Sequence, residues 1–201
     1  MYVAHNILPW LKKYYCKNDI TRFVCSFTVL FSAMAFINHA FISLTTEGGY
    51  YNAWVAKYLD YVSLYRSVLL KSAGAVTGLF GYDYRVDMYH LYINNNSGVR
   101  MVYSCIGLNI LSFWAAFTLS FPNTRTSKLK YCLSGLIAIS LLNVMRIATL
   151  AMVRTLHDFK HSQFDHHLIF NIVVYLFIFG SIVHMINNST AKKIQVEASC
   201  I

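Results

Sequence analysis

Four apolar stretches constrain what this chain can fold into more than any other feature: residues 23–44, 105–121, 131–153 and 167–186. Each comes near the roughly 20 residues with which an α-helix crosses a bilayer. A bilayer core offers the backbone no hydrogen-bonding partner, so stretches of this kind must satisfy their amides internally, as helices. The composition agrees. Of 201 residues, 57% are hydrophobic and only 12% charged, too apolar a balance for an ordinary soluble domain. The sequence predicts an all-α integral membrane protein with four transmembrane helices in one membrane domain, residues 23–186, between a basic N-terminal segment 1–22 and a tail 187–201. The first stretch is too long for the apolar part of a cleavable signal peptide and no small-residue cleavage site follows it, so it is expected to stay as an anchor.

Lysine and arginine in the short flanks set the orientation. Lys12, Lys13, Lys17 and Arg22 precede the first stretch, Arg125, Lys128 and Lys130 connect the second to the third, and Lys192 and Lys193 follow the fourth. These segments, and with them both termini, are expected in the cytoplasm. The formal charge of +9 is thus accounted for by topology and does not point to nucleic acid. The opposite face receives residues 45–104 and the loop from Arg154 to His166. Within the former, apolar and aromatic residues recur at helical spacing from Asn52 to Phe80, interrupted by Lys57, Asp60, Arg66 and Lys71, which predicts an amphipathic helix at the extracytoplasmic interface. A fifth span through "SVLLKSAGAVTGLFGY" is the competing reading, but it holds Lys71 and would invert every later loop. Beyond it, "MYHLYI" and "VRMVYS" flank the turn-forming "NNNSG", predicting a short β-hairpin that leads into Cys105.

Three polar residues stand at one height. Cys105 lies 16 residues before Phe121, and Arg146 lies 15 residues after Tyr131, on two spans joined as an antiparallel hairpin. At about 1.5 Å per residue both sit roughly 23 Å from the cytoplasmic boundary. His167 opens the fourth span on that same face. A lone arginine within a span costs about 2.5–3.5 kcal/mol on insertion scales, so it normally faces the protein interior or a wet cavity; snorkelling to the headgroups beside Arg154 is the alternative. Cys105 alone is most simply a small hydrophobe, as Cys25 and Cys132 are taken to be. At a helix N-terminus beside a guanidinium, however, it has the electropositive setting of a reactive thiol, with Gly107 leaving it uncrowded and a histidine to move its proton.

The remaining cysteines and histidines exclude more than they suggest. Cys16, Cys25, Cys105, Cys132 and Cys200 are odd in number, without a CxxC pair or zinc-type spacing, so neither a disulfide framework nor a structural metal is indicated. Cys200 is penultimate, which is not a prenylation signal. His39 and His184 could in principle hold a haem, but they fall at different depths of their spans. His157, His161, His166 and His167 match no recognised zinc spacing. No cofactor is expected.

Taken together, "SCIGL", "LLNVMRI" and "FDHHLIF" resemble the exosortase/archaeosortase family of multispan cysteine transpeptidases, over about residues 100–180. Cys105 with Gly107, Arg146 preceded by Asn143, and one of the pair His166 and His167 fit the family's order of cysteine, arginine and histidine; the stretch "HLIF" favours His167. The resemblance implies a cysteine transpeptidase or protease on the outer face of a bacterial cytoplasmic membrane. Its substrates would be exported proteins with a C-terminal sorting signal made of a recognition motif, a membrane span and a basic tail. Cys105 would be the nucleophile, His167 the general acid and base, and Arg146 the stabiliser of developing negative charge. The lipid bilayer is the other partner expected. The competing function is a non-enzymatic membrane protein, either a haem-binding electron carrier or an assembly subunit that uses Arg146 to hold a partner helix.

Overall fold

The computed structural model describes the backbone of residues 19–46, 50–94, 97–156 and 166–198, and within these the side chains of 20–46, 50–94, 98–103, 105–155 and 171–188. In chain order the elements are α1 (Asp19–Thr45), α2 (Ala53–Tyr58), α3 (Tyr61–Leu79), β1 (Tyr84–Val86), β2 (His90–Ile93), β3 (Ser97–Arg100), α4 (Tyr103–Ile106), α5 (Leu108–Ser120), α6 (Arg125–Leu156) and α7 (His166–Ala198). Among the described residues three helical stretches are long and apolar enough to cross a membrane: Ile20–Thr45, Arg125–Thr155 and Asn171–Asn188. The expected span 105–121 is not one helix. Gly107, at φ 81° and ψ 16°, breaks it into the single turn α4 and the 13-residue α5. At 1.5 Å per residue α5 is about 20 Å long, short of a hydrocarbon core of about 30 Å.

Phenylalanines recurring every fourth residue join α1 to α5. Phe23, Phe27 and Phe31 line one face of α1, Phe113 and Phe117 one face of α5 with Phe121 just past its end, and such i, i+4 rows meet as ridges. Phe23 meets Phe117 edge-on at 5.4 Å and also touches Phe121, while Phe27 meets Phe113 at 5.4 Å and Phe31 touches Phe113. The pairing is antiparallel. Farther along, Asn38 Nδ2 donates to Ser112 Oγ at 2.8 Å, and Asn38 Oδ1 accepts from the Tyr61 hydroxyl at 2.6 Å, which brings α3 to the same seam.

Trp114 fixes α5 on α6. Its indole is buried, and Nε1 donates to the carbonyls of Tyr131 and Cys132 at 3.2 and 3.3 Å. A Cβ at Gly135 would overlap the indole, so this crossing requires glycine. At the near end of the hairpin Lys128 Nζ donates to the Leu119 carbonyl at 2.8 Å, satisfying one of the acceptors that a helix C-terminus leaves open. Trp114 and Ile139 pack with Val174 and Ile178, which places α7 against the α5–α6 pair.

The amphipathic stretch 52–80 forms two helices where one was expected. Asn52 caps α2 by accepting from the amides of Trp54 and Val55, and Asp60 caps α3 by accepting from Ser63 N at 2.9 Å, so the chain stops and restarts at Leu59 and Asp60. α2 keeps an exposed aromatic face, with Trp54 and Tyr58 outward and Lys57 Nζ 5.2 Å from the Tyr58 ring. α3 belongs to the core. Its buried positions Val62, Arg66, Leu69, Leu70, Ala73, Gly74 and Thr77 recur at three and four residues, and the apolar ones pack with Val144, Ile147, Ala148 and Ala151 of α6. The Tyr65 hydroxyl bonds Ser140 Oγ at 2.8 Å, near the middle of α6. Burial pushes the Tyr65 hydroxyl above the usual tyrosine range and the bond to Ser140 works the other way.

The expected hairpin is present, as part of a three-stranded antiparallel sheet in the order β1-β2-β3. β2 pairs β3 with His90 opposite Arg100 and Ile93 opposite Ser97; β1, which was not foreseen, pairs β2 with Tyr84 opposite Ile93 and Val86 opposite Leu91. Leu91 and Ile93 are fully buried and His90 and Tyr92 half-buried, the period-two signature of a strand with one face on a core. The sheet is locked on two sides. Tyr84 seats its ring against the Gly74 and Gly78 positions of α3, where a Cβ would come within 2.6 and 2.9 Å of ring carbons, and Arg154 Nη1 donates to the Gly98 carbonyl at 2.9 Å.

Candidate active site

Two of the three chemistry-bearing residues singled out by sequence meet in the structure. Arg146 Nη2 lies 3.8 Å from Cys105 Sγ, across 41 residues of chain. Both side chains are half-buried, the accessibility that a working thiol and its partner need. The other described cysteines stand apart: Cys132 is buried and Cys25 exposed. Arg146 makes its contact because α6 carries it on the side facing the α4–α5 junction, with Asn143 one turn earlier and directed at the same place.

The junction itself explains how the thiol is presented. A left-handed residue at 107 ends α4 after one turn, and glycine adopts that conformation without the Cβ penalty. Asn143 Nδ2 then donates to both carbonyls that the break leaves open, those of Cys105 and Ile106, each at 3.1 Å. Asn143 is 5% exposed and its Oδ1 has no hydrogen-bond partner among the described residues. The clamp explains why Asn143 and Gly107 belong with Cys105: one makes the break and the other satisfies it.

One expectation about the thiol is corrected here. Cys105 was expected at the N-terminus of the second span, within reach of its unpaired amides. It is instead the third residue of the four-residue helix α4, its own amide bonded to the Val102 carbonyl at 2.9 Å, and α5 starts only beyond Gly107. A single turn adds little dipole, so among the described residues the cationic group beside the thiol is Arg146.

Beside the junction lies a small cavity of about 40 Å³ bounded by Tyr65, Ile106, Gly107, Asn143, Arg146, Asn171 and Val174 among others. That is room for water, and polar groups line it. Sequence reasoning gave neither Tyr65 nor Asn171 a part in the site. Tyr65 carried no signal beyond its place in an aromatic-rich helix. The side chains of His166 and His167 lie outside the described residues, as do His157 and His161; the backbone shows that α7 begins at His166, so that His167 is one turn before Asn171. His184 is far along α7 and bonds Asn188, which also donates to the Tyr131 hydroxyl at 3.0 Å. No family model, curated protein or solved structure matches the chain.

Proposed function

We propose that the chain is a membrane cysteine transpeptidase or protease of the exosortase/archaeosortase kind, acting on exported proteins that carry a C-terminal sorting signal at the outer face of a bacterial cytoplasmic membrane. The observation that carries this reading is the 3.8 Å contact between Arg146 and Cys105, two residues on which the family resemblance rests and which come from separate helices. The bundle would cross the bilayer four times, with both termini cytoplasmic. The antiparallel ladder supports the second crossing: it keeps α5 beside the membrane-length helix α1 from the Phe23–Phe121 contact to the Asn38–Ser112 bond, a run of about 13 Å along α5. α4 and the turn at Gly107 would complete the passage.

In the proposed reaction Cys105 Sγ attacks the scissile carbonyl carbon, forming a C–S bond, and the negative charge that moves to the carbonyl oxygen is met by the Arg146 guanidinium. The C–N bond then breaks. The proton released by the thiol passes to the departing amine through His167, the second residue of α7 and one turn from the cavity-lining Asn171. An amine or hydroxyl on a surface acceptor, or water, then attacks the thioester and returns the thiol. The pair is half-buried, and a charge partly withdrawn from water acts more strongly on its neighbour than it would in full solvent.

Labelling tests both place and reactivity. A membrane-impermeant maleimide added to intact cells should modify Cys105 from outside, and a peptide resembling the cleavage region should suppress it. Labelling only after the membrane is permeabilised would overturn the orientation and the site together. Arg146→Lys is a finer probe. It keeps a positive charge but loses the planar fork, so processing of a co-expressed sorting-signal protein should fall about ten- to a hundredfold while external labelling persists.

A further inference from the structure

Among the described residues Arg66 is the only charged side chain that is buried, at 1% exposure. Its Nη2 donates to Ser63 Oγ at 2.7 Å, and among the described residues its Nε has no acceptor and no carboxylate bonds to it. The guanidinium lies instead against two aromatic rings, its Cζ 4.1 Å from the centroid of Tyr89 and 5.5 Å from that of Tyr103. Ring faces attract a cation, but they return only part of what a buried charge loses in leaving water. An apolar side chain of similar length would fill the same space at no such cost. A buried charge that hydrophobic packing could replace is better explained by what it holds in place.

What it holds is the segment that carries the thiol. Tyr103 is the first residue of α4 and Cys105 the third. The Tyr89 carbonyl accepts from Met101 N at 2.8 Å, just before α4 starts, and the Tyr103 hydroxyl accepts from Thr46 Oγ1 at 3.0 Å. Arg66 therefore braces the leading end of α4, while Asn143 clamps its trailing carbonyls. A helix of one turn has almost no stability of its own, so its orientation is set by such outside contacts.

We propose that Arg66 is a positioning residue for the Cys105 thiol: lying over the Tyr89 ring and within cation–π range of Tyr103, it fixes the turn α4 so that the sulfur stays against Arg146. The inference rests on the reading of Cys105 as a nucleophile activated by Arg146, and the experiment separates the two. The full chain in lipid nanodiscs is treated with iodoacetamide at constant pH, modification of Cys105 is followed by mass spectrometry of its peptide, and the thermal midpoint is recorded in parallel. Arg66→Met, Arg66→Lys and Tyr103→Leu should each slow alkylation about tenfold, because each removes or loosens the contact of the guanidinium with the rings that flank α4. Arg66→Met should keep or raise the midpoint. Lys71→Met, on the exposed side of the same helix, should change neither. In an Arg146→Met background Arg66→Met should have no further effect, since the two act through one sulfur.

Wild-type alkylation in Arg66→Met, recovery of the rate in Arg66→Lys, or a rate loss matched by a fall in midpoint as large as that of Leu69→Ala would each overturn the proposal. If Arg66→Met does not fold, Tyr103→Leu decides by the same two readings. Should Arg146→Met itself alkylate as fast as wild type, the nucleophile reading fails, and the role of Arg66 goes with it.

Discussion

Cys105→Ala should abolish processing of a co-expressed exported protein bearing a sorting signal, with a loss of at least about 10⁴-fold, whereas Cys132→Ala should leave processing intact. The expectation follows from what the two thiols touch. Cys132 is buried in α6, where its carbonyl serves Trp114 and its sulfur is packing. Cys105 is half-buried with a guanidinium nitrogen 3.8 Å from its sulfur, and the backbone on its C-terminal side is broken by a left-handed glycine. Packing alone gives no reason for that combination, because a small apolar residue would fill the position without a cation beside it. Alanine removes the sulfur and little else, so the fold should survive and the thermal midpoint should stay within a few degrees of wild type. Processing by Cys105→Ala at the wild-type rate would dismiss the thioester route whatever the geometry.

How far the sequence foretold this arrangement differs from element to element. The meeting of Cys105 and Arg146 was legible because two helices joined by a short connection rise by the same amount per residue, so counting from the connection gives relative height. The hairpin was legible because "NNNSG" interrupts two β-favourable runs. The break at Gly107 was not. In "SCIGL" a glycine can leave space for a neighbour or adopt a positive φ, and only the fold decides between them. Arg66 was read as a charge interrupting an amphipathic face; its burial depends on Tyr89 and Tyr103, which belong to the sheet turn and to α4 and carry no local sign of the contact. The phenylalanine rows of α1 and α5 show their spacing openly, yet their pairing joins residues some 90 positions apart, beyond the reach of local periodicity. β1 is three residues long and has no pattern of its own.

Gly135→Ala should destabilise the protein by about 3 kcal/mol, although alanine is the better helix former. An added Cβ at 135 would collide with Nε1 and Cε2 of Trp114, a rigid ring with 1% exposure that is held by two carbonyls of the same helix and has nowhere to retreat. For a chain of this size the thermal midpoint in mild detergent should drop by roughly 6–12 °C. Gly180→Ala is the matched control. Nothing lies within 4 Å of a Cβ built there, so the helix-propensity gain should appear alone, as no change or a rise of a few degrees. Trp114→Ala should be costly by itself, and the double variant with Gly135→Ala should be less destabilised than the sum of the two, because the first change removes the obstacle to the second. The effect should also reach the thiol. Trp114 is nine residues beyond Cys105 and Gly135 eleven before Arg146, so their contact sets the axial register in which sulfur and guanidinium meet, about 15 Å away. A sliding or spreading of α5 against α6 that relieves the clash would draw the pair apart. Gly135→Ala should therefore slow alkylation of Cys105 in the fraction that remains folded, while Gly180→Ala should not. If the rate is unchanged at a lowered midpoint, the register of the pair is set nearer the site, by the Asn143 clamp alone.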